Sequence, residues 1–158
     1  MSRQKPEAGA ASSPATLIRR QALDLLARRE HAVRELRQKL QRKGHDTLQI
    51  DEVLAALSRA GLQSEQRFTE CFVHSRKNRG EGPLRIRAAL QQRGISDELI
   101  VACLDEAAGD WSAMAQAVRQ KRFGAGWPQD HRERARQARF LQQRGFTMEQ
   151  ISRLLFRD

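Results

Sequence analysis

The chain has 158 residues, 39% of them hydrophobic and 30% charged, with a formal net charge of +10 and a pI near 11.1. That balance suits a soluble, helix-rich protein: no apolar run approaches the ~20 residues of a membrane-spanning helix, and the N-terminus lacks the apolar centre of a secretory signal. The excess of positive charge favours a polyanionic partner, either nucleic acid or a protein with an acidic surface.

In chain order, "MSRQKPEAGAASSPA" is rich in Ala, Ser, Pro and Gly, and residues 1–15 read as a disordered tail. A first helix is predicted over about 16–29, with Leu17, Leu23 and Leu26 on an apolar stripe. A second carries Val33, Leu36 and Leu40 and runs into "LQRKG" at Leu40–Gly44. After it, "IDEVLAAL" is again helical; the first copy of this turn reads as about three residues longer than the later ones. The pattern then recurs. "SEQRFTECFVHSRKN" at 64–78 precedes "RGEGP", whose glycines predict a turn and whose Pro83 opens the next helix. That helix, with Leu84, Ile86 and Leu90, ends in "LQQRG" at Leu90–Gly94 and is followed by "SDELIVACL". A third round holds "DWSAMAQAVRQKRF" at 110–123, a helix with Ala135, Ala138 and Leu141, "LQQRG" again at Leu141–Gly145, and "TMEQISRLL".

The repeated pentapeptide is a helix C-terminus. Gly stops a helix in the left-handed conformation, and Lys43, Arg93 and Arg144 before it set positive charge at the negative end of the helix dipole. Ser96 or Thr147 can cap the helix that follows, with Glu98 and Glu149 in its first turn. A unit of roughly fifty residues used three times predicts an all-α protein: an elongated tandem array of three three-helix repeats, about nine helices in all. The repeats are expected at residues 16–62, 63–108 and 109–158.

Helix–Gly–helix is also the pattern of a helix-turn-helix, whose second helix enters a major groove. A reading helix needs basic and amide side chains. Here the helices after the glycines carry Asp51 and Glu52, then Asp97, Glu98, Asp105 and Glu106, then Glu149, which argues against that docking mode. The basic residues lie elsewhere. Residues 16–62 hold ten basic and six acidic side chains, residues 63–108 seven and seven, and residues 109–158 ten and five. The candidate partner-binding residues are therefore Arg34, Arg37, Arg42 and Lys43; Arg76, Lys77, Arg79, Arg85, Arg87 and Arg93; and Arg132, Arg136, Arg139 and Arg144. The bland alternative is solvated helix faces with intrahelical pairs such as Glu35 to Lys39.

No catalytic constellation, metal-ligand spacing or cofactor motif is apparent. Cys71 and Cys103 sit in apolar helical stretches and read as buried, reduced thiols. "RGEGP" lacks the Gly-Lys-Ser/Thr ending of a phosphate loop. Trp111 falls at core spacing with Met114, Ala115 and Val118; Trp127, in "GAGWPQD", is either a packing or a base-stacking residue.

Together, "LLARREHAVRELRQKLQRKG", "RFTECFVHSRKNRGEGPLRIRAALQQRGIS" and "DWSAMAQAVRQKRFG…RFLQQRGFTMEQI" resemble the RecX family, regulators of the bacterial recombinase RecA. The resemblance covers about residues 17–156 and is most specific over Arg67–Ile95. It implies a cytoplasmic, non-enzymatic monomer that binds the RecA filament on single-stranded DNA, inhibits RecA ATP hydrolysis, strand exchange and co-protease activity, and touches DNA directly only weakly. The chain departs from the family pattern at Ala32, where Ser is usual, at Glu81, where an aromatic is usual, and before Arg67, where only Glu65 of an acidic pair is present. Two other functions remain open on the residues alone: a DNA-binding regulator acting without RecA, and an adaptor for an unrelated acidic protein.

Overall fold

The computed structural model describes residues 12–106 and 110–156, so most of the expected N-terminal tail lies outside the described residues. Among the described residues there are nine α-helices and no strand: α1 (Pro14–Arg28), α2 (Val33–Arg42), α3 (Thr47–Arg59), α4 (Glu65–Asn78), α5 (Pro83–Gln92), α6 (Asp97–Glu106), α7 (Trp111–Phe123), α8 (His131–Gln143) and α9 (Met148–Leu155). The chain forms two compact units divided after Gln63. Helices α1–α3 belong to the first and α4–α9 to the second. Helix α1 opens two residues earlier than the periodicity predicts, because Ser13 accepts from the Thr16 N–H and Pro14 supplies the first helical position.

The same closure ends α2, α5 and α8. Gly44, Gly94 and Gly145 have φ of +87°, +75° and +96°. In each copy the N–H after the glycine reaches back to the carbonyl of the pentapeptide Leu: His45 to Leu40 at 3.4 Å, Ile95 to Leu90 at 3.2 Å, Phe146 to Leu141 at 3.2 Å. The glycine N–H bonds the next carbonyl, that of Gln41, Gln91 or Gln142. This is the Schellman closure, which satisfies carbonyls that a helix end leaves unpaired. The Leu is fully buried in all three copies, and burying such a side chain is worth roughly 1.5–3 kcal/mol. Gln41 and Gln91 also reach forward to the next helix start, at Thr47 Oγ1 (3.2 Å) and Asp97 Oδ1 (3.1 Å).

The three turns are equally long. Asp46 caps α3, Ser96 Oγ accepts from the Leu99 N–H, and Thr147 caps α9, each two residues past the glycine. The longer first turn expected from "IDEV" is thus corrected: α3 begins at Thr47, three residues before that string. Thr147 and Gln150 complete a reciprocal capping box.

In the first unit, Ile18, Ala22, Leu36, Leu40, Ile50, Leu54 and Leu57 form the core. His31 lies at its edge. Its Nδ1–H donates to the Arg29 carbonyl (3.0 Å), leaving Nε2 as acceptor for the Lys39 ammonium (3.2 Å). Ala32 is the cap residue of α2 and makes no side-chain cap bond. In the second unit, Phe68, Val73, Ile86, Leu90, Ile95, Ile100 and Leu104 are buried among α4–α6, and Trp111, Ala115, Leu141, Phe146, Ile151 and Leu155 among α7–α9. Cys103 is buried as expected but Cys71 is exposed. The buried stripe of α4 runs Phe68, Thr69, Val73, and at 100° per residue Cys71 falls on the opposite side of the helix.

The two helix groups of the second unit meet backbone to backbone. The Gly82 N–H donates to the Arg144 carbonyl at 2.7 Å and the Leu84 N–H to the Gly145 carbonyl at 2.9 Å. A Cβ on Gly82 would lie 2.4 Å from the Gly145 carbonyl carbon, and one on Gly145 would lie 2.4 Å from Arg85 Cβ. Gly44, with the same turn role, has open space where a Cβ would stand.

That contrast predicts unequal costs for one substitution. Gly44→Ala should lose about 1–2 kcal/mol from the left-handed conformation alone. Gly145→Ala should lose a further ~1–3 kcal/mol, because the joint must open. Urea unfolding of the two variants measures the difference; equal losses would mean the close approach is not felt.

The environment of His31 sets a pH dependence. Burial lowers its pKa below the usual 6.5, and the Arg29 and Lys39 charges push the same way, against the hydrogen bond to Arg29 and the Glu35 charge. A depressed folded pKa contributes stability that is present above the unfolded value and lost as pH falls through the folded one. Thermal stability should therefore decline on acidification below about pH 6.5, and His31→Gln should flatten that decline.

Candidate basic groove

A helix ends in unpaired carbonyls, so cations collect at its last turn. Three helix ends of the second unit do so around one groove. From α4 come Lys77 and, just past its end, Arg79; from α7 come Lys121 and Arg122; from the cap of α8 comes Arg144. The floor between them is apolar, made by Met114, Ala117, Val118 and Phe140. The cavity is about 630 Å³, and Asn78 and Gly80 complete its lining. Among the described residues no carboxylate, imidazole or thiol lines it. Such a surface can hold an anionic group attached to an apolar body.

Several cations are held in place by aromatic rings. Lys77 Nζ sits 4.6 Å from the Trp111 ring centroid and Arg144 Cζ 5.7 Å from that of Phe140. Phe140 in turn meets Phe123 edge-on at 5.2 Å. Arg144 Nε is buried without a hydrogen-bond partner. Arg79 and Lys121 are exposed on the rim.

Three of the predicted residues have structural work instead. Glu81 is buried and bonded by Arg76 at 2.9 Å, with Arg85 at 3.8 Å from its other oxygen. Glu81 is the second residue past the C-cap of α4, Arg79, and Arg76 is the residue whose carbonyl its N–H bonds, at 3.1 Å. An apolar contact frequently joins those two positions. In this chain an ion pair replaces it, which accounts for a carboxylate where the family pattern has an aromatic. Arg93 Cζ lies 4.8 Å and Arg76 Cζ 4.7 Å from the Phe72 ring, and Arg93 also donates to the Ala89 carbonyl.

The remaining candidates are not brought to the groove. Arg132, Arg136 and Arg139 line one exposed stripe of α8, with Arg136 beside Glu133 at 3.3 Å and over Phe123 at 5.1 Å. Arg87 is exposed on α5. Arg34, Arg37, Arg42 and Lys43 are exposed on or beside α2 in the first unit, where Arg37 pairs with Asp51 at 3.0 Å. Lys121 and Arg122 were missed by sequence reasoning. Their signal was present: each first helix of a repeat has a basic last turn, at Arg28, at Arg76 and Lys77, and at Lys121 and Arg122.

Among the described residues no cluster of His, Cys, Asp and Glu is arranged to hold a metal, and no helix is long and apolar enough to cross a membrane.

The Glu81 arrangement has a measurable consequence. Glu81→Gln removes the carboxylate paired with Arg76 and should lower unfolding stability by about 1–3 kcal/mol. Restoring the family's pattern with Glu81→Phe should recover part of that loss, as read by urea denaturation.

The sequence and fold both have known relatives. Residues 19–57, 64–104 and 110–155 match the first, second and third three-helix domains of RecX. The chain is 56% identical over 145 residues to "Regulatory protein RecX" of Halorhodospira halophila, covering 92% of this chain and 88% of that protein. It is 48% identical over 138 residues to the protein of the same name from Pseudomonas entomophila, covering 87% and 89%. The crystal structure of RecX from Lactobacillus salivarius superposes with a TM-score of 0.78 at 18% identity, over 92% of this chain and 97% of that one.

Proposed function

The chain belongs to the RecX family of regulatory proteins, and from that premise we propose that it binds the RecA filament on single-stranded DNA and inhibits RecA. Inhibition here covers ATP hydrolysis, strand exchange and co-protease activity, and so acts on recombinational repair and the SOS response. The observation that carries this reading is the groove where α4, α7 and α8 end: a cluster of cations over an apolar floor. It suits a regulator that acts by occupying a surface. The DNA that the filament coats is polyanionic, and complementary charge speeds encounter and fixes orientation. The exposed arginines of α8 and α2 extend the positive surface of each unit. Contacts of that kind weaken as salt rises.

The test is RecA ATP hydrolysis on single-stranded DNA during titration with this protein. Half-inhibition is expected well below one copy per RecA. Absence of inhibition at excess protein would remove the proposal. The double variant Lys121→Glu, Arg122→Glu should raise the half-inhibiting concentration roughly tenfold, the equivalent of about 1.4 kcal/mol, with unchanged helix content. Unaltered inhibition at both low and moderate salt would move the contact away from the groove.

A further inference from the structure

Trp127 is not absorbed by that function. It stands between α7 and α8 with 49% of its surface exposed, although an indole is among the side chains that gain most from burial. It is also held rigidly. Arg119 is fully buried and its guanidinium carbon lies 4.4 Å from the indole centroid. Arg119 Nη1 donates to the carbonyl of Gly126, the residue before Trp127, at 3.0 Å and to Gln137 Oε1 at 3.3 Å. Gln137 is itself fixed by Glu133, 3.1 Å away, and the Trp127 carbonyl accepts from Gln129 at 3.1 Å. Pro128, the next residue, is buried.

Beside this ring is a second cleft, about 410 Å³, within the size range of small-molecule sites. Its walls are Trp127 and Pro128 from the loop, Leu154 and Leu155 from the end of α9, and Gln116 from α7. Two guanidinium groups, Arg134 and Arg153, border it; Arg153 is also paired at 2.5 Å with Glu149, one turn earlier on the same face of α9. A rigid exposed indole, flanking apolar walls and adjacent cations are the parts of a site that stacks a base and steadies its phosphate.

We propose that Trp127 stacks an unpaired nucleobase of single-stranded DNA, with Gln116 toward the base edge and Arg134 and Arg153 toward the backbone. The choice of DNA as the strand rests on the regulatory reading above; the stack itself needs no RecA. Arg119 is a positioning residue in this site. It braces the indole from the buried side, and its unpaired Nε and Nη2 leave the aromatic face as part of what compensates its charge.

The test uses the full chain and DNA alone, so its failure leaves RecA inhibition standing, and a lack of RecA inhibition leaves it standing in turn. The probes are a thymidine oligomer and an abasic oligomer of equal length. In Trp111→Phe, where Trp127 is the remaining tryptophan, the thymidine oligomer should quench the emission and the abasic one should not. The native chain should bind the thymidine oligomer more tightly than the abasic one. Trp127→Ala should abolish that preference and lower thymidine-oligomer affinity by about 5- to 150-fold, the range for loss of one stacked base; Trp127→Phe should stay within about threefold of native, since a phenyl ring also stacks. Binding without quenching, or equal affinity of the native chain for the two oligomers, would overturn the proposal even if Trp127→Ala failed to fold.

Discussion

Two hydrogen bonds between main chains, Gly82 N–H to the Arg144 carbonyl and Leu84 N–H to the Gly145 carbonyl, set where everything in the second unit stands. They satisfy one carbonyl at the very end of α8 and another in the turn beyond it, groups that otherwise need water or a cap. They also require that neither glycine carry a side chain. Because the joint lies just past the end of α4 and just past the end of α8, it brings those two negative helix poles side by side, and α7 ends next to them. The cations at those ends then crowd around one groove. The positive surface follows from a backbone contact between two turns.

The three pentapeptides show how one local solution serves different tertiary needs. Leu fills the core, Gln reaches toward the next helix in the first two copies, a cation faces the carbonyl pole and Gly reverses the chain. In the first copy the turn is sufficient to itself, and open space surrounds Gly44. In the third, the same letters also form half of the joint. Local geometry dictates the motif, and only its surroundings decide whether the glycine is replaceable at modest cost or at great cost.

That distinction explains what could be read from the residues. Helix positions, their terminating glycines, Pro83 at the head of α5 and the burial of Trp111 follow from periodicity and backbone chemistry, which are local. The joint is non-local, and nothing in "LQQRG" distinguishes Gly145 from Gly94. The roles of Arg76 and Arg85 depend on Glu81 being buried, which an isolated acidic residue between two glycines does not announce. Cys71 fell outside the α4 core because the stripe leans toward Thr69 and Val73, a rotation of the helix that spacing alone leaves undetermined. The length of the first turn is set by its cap, Asp46, two places after the glycine as in the other copies, and not by the start of "IDEV". Lys121 and Arg122 stand at the end of α7, and only the fold brings that end beside those of α4 and α8.

The two buried charges of the second unit are resolved in different ways, and the difference bears on function. Glu81 has counter-charges on Arg76 and Arg85, so its cost is met within the turn that contains it. Arg119 is bonded only to neutral oxygens, of Gly126 and Gln137, and leaves two nitrogens without hydrogen-bond partners. Removing an arginine from water in that state costs several kcal/mol, and an unbranched apolar side chain such as methionine would fill much of the space without that charge cost. What an apolar side chain would not do is grip the Gly126 carbonyl and the indole together. A loop containing Gly124, Ala125 and Gly126 has little of its own to hold a ring in place. The energy spent on Arg119 therefore goes into the orientation of Trp127, and orienting a half-exposed indole has physical value only if something is received on it.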